Sequence, residues 1–319
     1  MSENPLVSVF LPAYNQEKFI AEAIESALNQ DYGNIEIVVG DDFSTDGTWE
    51  IIKNYQKKFP NKLKTFRNSE NLGITKNCNE ILKRCTGKYI AYSAGDDLYL
   101  PGKISKQVHL MESIKECVMS HHYVETFHSS SGETLFVNNI YFKDRDVIIE
   151  TSSSVAKSII SLGNSYIHGL SIMVLRNAIP SNGYDCRIPV ASDWLMWVDI
   201  LARSAPNSKV IFIPEILAKY RRHQDNVTSE GYKHTDDMHI TLAIIEDRYP
   251  NLIKATEQGR AHIRSSVGIK LIKESYDRRN GRKIILRSIL GGHITRQNIY
   301  WLIYSLWPRI SFLRKILGR

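Results

Sequence analysis

The sequence predicts an α/β protein in which a mostly parallel sheet is flanked by helices and followed by a helical C-terminal extension. Three observations predict this. Strand-like and helix-like segments alternate through the first hundred residues, polar turns follow the strand-like segments, and the pattern is helical from residue 234 to the end. Alternation of this kind is typical of βαβ units, which build parallel sheets.

The individual elements follow from the local pattern. Continuous apolar runs such as LVSVFL and IEIVVG indicate strands that are buried on both faces, and the amphipathic stretches between such runs indicate helices. The predicted order is a strand at 6–11, a helix at 20–29, a strand at 35–40, a helix at 48–59, a strand at 63–66, a helix at 74–85 and a strand at 88–93. Beyond these we expect a helix to residue 114, a hairpin at 129–132, a helix at 153–161, a strand at 170–175 and a helix at 192–203.

Composition is that of an ordinary globular chain of 319 residues, with 43% apolar and 24% charged residues. The four cysteines, Cys78, Cys85, Cys117 and Cys186, have neither CxxC spacing nor the density of a disulfide framework. We therefore expect reduced thiols and a cytoplasmic protein. No N-terminal signal sequence is evident, and no apolar stretch has the length of a spanning helix.

Carboxylates stand at the ends of two predicted strands, which is where ligands bind in parallel α/β sheets. Asp41, Asp42 and Asp46 lie in DDFSTDGT after the second strand. We expect Asp46 to cap the following helix together with Thr48. Capping does not explain two adjacent carboxylates, so we expect Asp42 to accept hydrogen bonds from a nucleobase or a ribose.

Asp96 and Asp97 end the fourth predicted strand in the same way, in YSAGDDLYLP. Adjacent carboxylates repel each other unless one of them engages a cation. Oxygen ligands suit Mn²⁺ or Mg²⁺ that is held partly by substrate phosphates. Two such pairs at neighbouring strand ends predict a site for a nucleotide and a divalent cation.

These motifs resemble glycosyltransferase family 2, whose members are inverting enzymes with a Rossmann-like nucleotide-binding fold called GT-A. The family's PxYN opening appears as Pro12, Tyr14 and Asn15, its DDxSxDGT turn as 41–48, and its Asn-Leu-Gly as 71–73. The family fold implied by this resemblance agrees with the sheet predicted from the alternating pattern.

The resemblance implies a role for each matching acid. Asp42 would contact the base, Asp96 the ribose or the sugar, and Asp97 the metal ion, which is Mn²⁺ or Mg²⁺. Many members carry a further acid where this chain has Ala94 or Gly95. That departure leaves Asp97 as the principal protein ligand of the metal.

Two later segments extend the resemblance through residue 228. Asp193, in GYDCRIPVASDWLMWVDILA, matches the family's catalytic base, and a carboxylate there also suits a helix cap. YRRHQDNVT resembles the family's YRxHxxNxS stretch, which implies that Arg222 and His223 approach the diphosphate and that His223 also reaches the metal; the alternative is a solvated loop. His168 is either a cleft residue or a structural histidine. The donor-binding residues implied by the resemblance are Pro12, Tyr14, Asn15, Asp42, Asn71, Asp96, Arg222 and His223.

The implied function is transfer of a single sugar from a nucleotide sugar, with UDP as the expected nucleotide, to a glycan acceptor such as a lipid-linked saccharide of bacterial surface polysaccharide synthesis. Processive members carry QxxRW and spanning helices, whereas residues 297–301 read QNIYW. Two alternatives remain. A nucleotidyltransferase should show a Gly-rich loop after the first strand, and a non-catalytic carbohydrate-binding or scaffold protein should have lost the acids.

The C-terminal segment is strongly basic. Residues 278–319 hold ten Lys or Arg and no Asp or Glu, so the rest of the chain, with 31 basic and 34 acidic residues, has a net charge of −3. Arginines interleave with Trp, Leu and Ile there, which predicts an amphipathic tail that binds an anionic membrane surface. The alternative is a helical pair docked on the catalytic domain. No nucleic-acid partner is expected, because no nucleic-acid-binding motif accompanies the charge.

We therefore expect two regions. Residues 1–230 would form a GT-A domain, with a nucleotide-sugar half at about 1–115 and an acceptor half at about 116–230. Residues 231–319 would form the helical region that ends in the basic tail. The protein would be cytoplasmic and peripherally associated with the inner face of the cell membrane.

Overall fold

The computed structural model describes residues 4–138, 146–163, 166–224, 226, 235–273, 277–291 and 293–306. The strands are β1 (Val7–Ala13), β2 (Ile35–Asp41), β3 (Leu63–Arg67), β4 (Tyr89–Tyr92), β5 (Leu98–Tyr99), β6 (Cys117–His128), β7 (Thr134–Val137), β8 (Ile148–Thr151), β9 (Met173–Leu175) and β10 (Lys209–Arg222). The helices are α1 (Ile20–Leu28), α2 (Thr48–Lys58), α3 (Ile74–Leu82), α4 (Lys103–Ser113), α5 (Ser152–Leu162), α6 (Ser192–Arg203), α7 (Thr235–Arg248), α8 (Ile253–Lys273), α9 (Arg278–Leu290) and α10 (Arg296–Leu306).

The described strands join one sheet, whose main path is β3-β2-β1-β4-β9-β6-β10-β5, with β7 paired to β6 and β8 to β10. β1 runs parallel to β2 and β4, and β3 runs parallel to β2. β9 is antiparallel to both β4 and β6, and β10 is parallel to β6. The carboxyl ends of β1, β2, β4, β6 and β10 therefore meet at one edge of the sheet. Folds of this kind bind ligands at that edge, and we call it the ligand edge.

Packing fixes the first strands and so positions the loops that follow them. β1 and β2 are buried along nearly their whole length, as expected for strands that are covered on both faces. α1 buries Ile20, Ala23, Ile24 and Ala27, which have the i, i+3, i+4, i+7 spacing of one helix face. The loops after β1 and β2 therefore open side by side at the ligand edge.

The predicted fold class is confirmed, and the first seven elements agree with their predicted bounds to within three residues. The largest difference is at α3, which ends at Leu82 because the chain turns there, with Cys85 N donating to the carbonyl oxygens of Ile81 and Leu82. The strand expected at 170–175 is shorter. Residues Gly169–Ser171 form a 3-10 turn, and only Met173–Leu175 pairs in the sheet.

β10 is the longest strand described here, and the sequence analysis did not predict it. Its sequence contains Pro214, and its pairing with β6 shifts register between Ile213 and Ile216 and again between Ile216 and Ala218. Irregular pairing of this kind hides the period-two pattern on which strand prediction depends. β10 ends with Arg221 and Arg222 at the same edge of the sheet as the carboxyl ends of β1, β2 and β4.

The chain packs as two compact units, one formed by Met1–Ile159 with Asn164–Thr241 and the other by Ile160–Gly163 with Leu242–Arg319. In the second unit α8 packs against α9, and α10 contacts both. α8 and α9 approach closely at two glycines, because a Cβ on Gly281 would lie only 2.7 Å from the carbonyl oxygen of Gly268. Among the helices of the described chain, none combines the length and apolarity needed to cross a bilayer.

Candidate active site

The loop after β1 carries Pro12, Tyr14 and Asn15. Pro12 is aligned with Gly40 in the parallel pair of β1 and β2. Asn15 has a left-handed backbone (φ 50°), a conformation that Asn tolerates well, and its Oδ1 accepts a hydrogen bond of 2.8 Å from Thr45 N. Asn15 thus fastens the loop after β1 to the loop after β2, with Tyr14 exposed beside it.

Asp42 is buried, and its carboxylate holds the segment that precedes α3. Oδ1 accepts hydrogen bonds from Asn68 Nδ2 (2.8 Å) and Leu72 N (2.9 Å), and Oδ2 accepts one from Gly73 N (2.9 Å). Asn71 lies in the same segment, and its Oδ1 accepts from Gly73 N at 3.1 Å. A carboxylate offers about four acceptor positions, so these three donors leave room for a hydrogen bond from a ligand.

The other two acids of this turn have structural partners. Asp41 Oδ2 lies 3.2 Å from Arg67 Nε, and burial raises the pKa of the Asp41 carboxyl. Asp46 Oδ1 accepts a hydrogen bond of 3.0 Å from Thr48 N, and its Oδ2 accepts one of 3.0 Å from Glu17 N. The N-cap residue of α2 is Gly47, so Asp46 binds the first N–H of the helix from the position before the cap, where the sequence predicts Asp46 itself as the cap.

Asp96, which follows β4, meets the segment that follows β10. Its Oδ2 lies 3.0 Å from His223 Nε2 and 3.3 Å from Asn226 Nδ2. Asn226 Oδ1 accepts a hydrogen bond of 2.6 Å from His223 N, which orients the histidine. The ring of Phe19 packs on the imidazole with the ring centroids 4.6 Å apart. Two segments that are far apart in sequence are thus in direct contact at the ligand edge.

Asp97 is more deeply buried than its neighbour Asp96. Its Oδ1 accepts a hydrogen bond of 3.0 Å from Arg221 N. Burial, and next the charge of Asp96, raise the pKa of the Asp97 carboxyl well above its usual range. The guanidinium of Arg221 lies close by, because its Nε donates to the carbonyl oxygen of Asp96 at 2.8 Å. A divalent cation bound there would favour the ionised forms of both Asp96 and Asp97.

The geometry of Asp96 and His223 fits a divalent cation. Asp96 Oδ2 and His223 Nε2 are 3.0 Å apart, and adjacent ligands of an octahedral cation with bonds of about 2.1 Å lie roughly 3 Å apart. Within the described ranges no three His, Cys, Asp or Glu side chains gather into a metal cluster. The sequence analysis named Asp97 as the principal ligand. In the structure the imidazole meets Asp96, and an oxygen of Asp97 bonds to the backbone of Arg221.

Gly95 is one of the two positions, with Ala94, at which the family resemblance implies a further acid. A Cβ on Gly95 would lie 2.1 Å from Gln16 Oε1, so the Gln16 side chain fills that space. Gln16 Oε1 is buried without a hydrogen-bond partner in the described part of the chain, and Gln16 N donates to Thr48 Oγ1 at 2.7 Å. The sequence analysis did not single out Gln16, whose place directly after PxYN is its one sequence signal.

Asp193 lies in the first turn of α6 and is half-buried. Its Oδ1 accepts a hydrogen bond of 2.8 Å from Trp194 N, and its Oδ2 lies 3.7 Å from the position that a Cβ on Gly169 would take. Burial, followed by the charges of Asp193 and Asp42, raises the pKa of the Cys78 thiol.

His168 lies between the 3-10 turn and the end of β10. Its Nδ1 accepts a hydrogen bond of 3.3 Å from Leu170 N, and its ring packs edge-on against Tyr220 with centroids 4.9 Å apart. Burial, and next the charge of Arg222, lower the pKa of His168 to about 4. An imidazole that is neutral near pH 7 and caps a turn is a structural histidine, which favours the second of the two interpretations offered by the sequence.

An open cleft of about 530 Å³ lies beside His223. It is formed by the loop before α1, the turn after β6 and the end of β10. Two of its side chains, Lys18 and Arg222, are cationic and two more are histidines, which suits an anionic ligand such as a diphosphate. The lining residues are Lys18, Phe19, His128, Ser129, Ser130, Arg222, His223 and Gln224.

Arg221 matches the Arg of the family's YRxHxxNxS stretch, but the predicted donor-binding residues included its neighbour Arg222 instead. Successive side chains of a strand point to opposite faces, so Arg221 turns into the protein and Arg222 lines the cleft. The guanidinium of Arg221 lies 4.9 Å from the ring centroids of both Phe19 and Phe127, and its Nη2 is 2.5 Å from Glu22 Oε2. A strand at 209–222 implies that these two neighbouring arginines point to opposite faces of the sheet.

Comparison with known proteins assigns the family. Residues 8–160 match the family model described as Glycosyl transferase family 2. EpsE of Bacillus subtilis (strain 168) is 42% identical over 112 residues, which cover 35% of this chain and only 40% of EpsE. An uncharacterized glycosyltransferase of Rickettsia typhi is 30% identical over 239 residues, which cover 73% of this chain and 69% of that protein. The chain belongs to glycosyltransferase family 2.

Two solved structures share the GT-A fold of this family 2 chain. S. aureus TarS (residues 1–349) in complex with UDP-GlcNAc has a TM-score of 0.60 at 17% identity, covering 94% of this chain and 79% of TarS. The mannosyltransferase PcManGT from Pyrobaculum calidifontis, in complex with GDP-Man and Mn²⁺, has a TM-score of 0.59 at 14% identity, covering 100% and 89%. At these identities the likeness confirms the fold alone.

Proposed function

We propose that this family 2 chain is an inverting, metal-dependent glycosyltransferase that moves a single sugar from a UDP-sugar to a hydroxyl of a glycan acceptor. The observation that carries the proposal is the meeting of Asp42, Asp96 and His223, which come from three strand ends, at one edge of the sheet. The fold relatives support the donor class, because TarS was solved with UDP-GlcNAc and PcManGT with GDP-Man and Mn²⁺.

The nucleoside would bind at the loops after β1 and β2. Tyr14 is exposed there and offers an aromatic face, while Pro12 and Asn15 fix the loop that carries it. The remaining acceptor position of Asp42 would take a hydrogen bond from the base, and Asn71 lies in the segment that Asp42 holds. The Asp42 carboxylate would therefore bind the base and also hold the segment that precedes α3.

The diphosphate would bind between the ends of β4 and β10. Asp96 and His223 have the spacing to hold a cation, Asp97 lies beside them, and Arg222 lines the adjoining cleft. Mn²⁺ or Mg²⁺ bound there would act as a Lewis acid for the leaving diphosphate. Asn226 orients His223 through a hydrogen bond to its backbone, so the protein positions the ligands before the donor arrives.

Asp193 is our candidate for the catalytic base. Its carboxylate would take the proton of the acceptor hydroxyl while that oxygen forms a bond to C1 of the donor sugar. The bond from C1 to the diphosphate breaks on the opposite face of the sugar, which inverts the anomeric configuration. The half-buried position of Asp193 at the start of α6 is compatible with contact to an acceptor.

The acceptor in this proposal is a lipid-linked saccharide of a bacterial surface polysaccharide. The support is the segregated charge of residues 278–319, ten basic and no acidic, which suits work at the inner face of the cell membrane. We assign transfer to residues 1–230 and the membrane contact to the helical region at 231–319, with no role for nucleic acid.

A screen of nucleotide sugars tests this proposal. UDP-GlcNAc, UDP-glucose and GDP-mannose are added with Mn²⁺, Mg²⁺ or chelator, and thermal stabilisation and nucleoside diphosphate release are measured. We expect stabilisation by one nucleotide class, dependent on the cation and lost in Asp96→Asn but kept in the surface control Asp31→Asn. Absence of any stabilisation would contradict the proposal. Pyrophosphate release from a nucleoside triphosphate would indicate a nucleotidyltransferase instead.

A further inference from the structure

The helices α9 and α10 place small and polar side chains inside the second unit and apolar ones outside. Apart from Ile285, their fully buried positions include Gly281, Ser288, Asn298 and Ser305. The exposed apolar side chains are Leu286, Leu290, Ile294, Ile299, Tyr300 and Ile303. We call these six residues the outer surface. The distribution is the reverse of that expected for a helix that packs on a core and faces water.

The buried polar side chains are paired, so the inner packing is specific. Ser288 Oγ donates a hydrogen bond of 2.9 Å to the carbonyl oxygen of Ala261. Asn298 Nδ2 donates one of 2.9 Å to the carbonyl oxygen of His293, and its Oδ1 bonds to Ser265 Oγ. The bonds from Ser288 to Ala261 and between Asn298 and Ser265 join neighbouring helices, so the polar side chains lie inside this packing.

The outer surface is strongly exposed. The exposed fraction is 84% for Leu290, 66% for Ile294 and 52% for Ile303. Leu286 and Leu290 are one turn apart on α9, and Ile299 and Ile303 are one turn apart on α10, so each helix presents an apolar row. Contiguous exposed apolar side chains mark surfaces that bind a partner or a membrane.

The surrounding charge indicates which partner fits. Between residues 278 and 306 the chain carries six Lys or Arg and no acid. Two copies of this surface would bring like charges together, whereas an anionic bilayer complements them. The rings of Tyr300 and Trp301 (5.4 Å) and of Trp301 and Tyr304 (5.1 Å) form an aromatic cluster suited to headgroup depth. α9 and α10, with 13 and 11 residues, are too short to span a bilayer.

We propose that the outer surface docks on an anionic lipid bilayer, with α9 and α10 lying in its interfacial layer. This inference rests on the proposed function for its membrane location, and adds which face of which helices makes the contact. Apolar side chains would enter the acyl boundary while Arg279, Lys283 and Arg287 remain at the phosphates. The acceptor and the enzyme would then share one surface.

Vesicle co-sedimentation of the full chain tests the docking. The vesicles are phosphatidylcholine alone or mixed with phosphatidylglycerol, at low and high salt. We expect wild type to sediment with the anionic vesicles at low salt only. Leu290→Ser with Ile303→Ser should raise the lipid needed for half-binding by at least roughly tenfold, and Arg279→Gln with Lys283→Gln should weaken binding in the same direction.

The matched control is Leu135→Ser with Ile149→Ser, which removes two apolar side chains with 46% and 50% exposure from the other unit and should bind vesicles like wild type. Wild type that ignores anionic vesicles overturns the proposal, as does a Leu290/Ile303 variant that binds like wild type. Loss of a lipid-free dimer in that variant, seen by size exclusion, would assign the surface to a second copy. Nucleotide binding, measured in parallel, tests the proposed function separately.

Discussion

Asp97 combines deep burial with a raised pKa, so its charge is costly to the folded protein unless a cation shares the site. We expect Asp97→Asn to weaken UDP binding in the presence of Mn²⁺ by at least about tenfold, because an amide cannot supply the negative charge that a metal–diphosphate pair needs. The folded state should be as stable as wild type or more so. Calorimetry of UDP with and without Mn²⁺, beside urea unfolding, measures both.

The control for that substitution is Asp31→Asn, which makes the same chemical change at an exposed carboxylate whose Oδ2 accepts a hydrogen bond from Ser105. It should leave UDP binding unchanged. Equal affinities for wild type and Asp97→Asn, with and without Mn²⁺, would remove Asp97 from the metal site. The Asp96–His223 pair would then be the principal protein contribution.

Asp193 offers a different kind of test, because a base acts on the acceptor and not on the nucleotide. Asp193→Asn should lower the turnover number by roughly 10² to 10⁴ and leave UDP affinity within about twofold of wild type. The amide keeps the acceptor oxygen for Trp194 N, so a pure helix cap would survive the change. Turnover that stays within a few-fold of wild type therefore assigns Asp193 to capping.

Candidate site residues could be predicted from sequence where they lie in a short motif. The strand-end acids Asp42 and Asp96 were singled out in this way, and the structure places both at the ligand edge, although their roles remain predictions. The motif gave the register of Arg221 but not its contact with Asp97, and it gave no sign of Gln16, because these contacts depend on which way a side chain turns and on the space beside Gly95. Such information exists only after the strands are paired.

Elements were predictable where the local pattern and the tertiary environment agree. The strands β1, β2 and β4 are short, mostly apolar and buried, and their bounds follow directly from sequence. The two-residue strand β5 and the bulged strand β10 have no such pattern, since pairing with distant partners defines them. The part of the sheet that β6 and β10 build was therefore the part that sequence described least.

Helix α4 carries a testable consequence of burial. Lys103 is fully buried, its Nζ donates a hydrogen bond of 2.7 Å to Gln107 Oε1, and burial lowers its pKa to about 7. The unfolded chain, with a lysine pKa near 10.5, binds more protons between these two values. Folding stability should therefore rise with pH from about 7 to 10, and the penalty from Lys103 is fully present below pH 7.

Lys103→Met should remove that pH dependence. The shift in pKa corresponds to a penalty on the order of 5 kcal/mol at neutral pH, reduced in the variant by the loss of the bond to Gln107. Urea unfolding of both proteins at pH 7 and pH 9 measures the difference between them, in which the other titrating groups cancel. A difference in unfolding free energy that does not change with pH would show that Lys103 is charged and solvated in the folded protein.

At the scale of the whole molecule, charge is divided as the functions are proposed to be divided. Residues 1–277 have a net charge of −3, with 31 basic and 34 acidic side chains, while residues 278–319 have ten basic side chains and no acid. An acidic remainder is repelled by an anionic bilayer and a basic end is attracted to it. Membrane contact should consequently place residues 278–319 against the bilayer, in addition to raising the concentration of the protein at its surface.

Orientation by the basic end predicts that vesicle binding and chemistry can be separated. Leu290→Ser with Ile303→Ser changes two exposed side chains that lie outside the candidate active site, so UDP binding and transfer to a soluble saccharide should stay within about twofold of wild type. Transfer to a polyisoprenyl-linked saccharide in anionic vesicles should fall by roughly tenfold, and high salt should produce the same loss in wild type. Side-by-side rates on the two acceptors measure this. An equal fall on both acceptors would mean that α9 and α10 support the folding or chemistry of the enzyme and not its attachment to lipid.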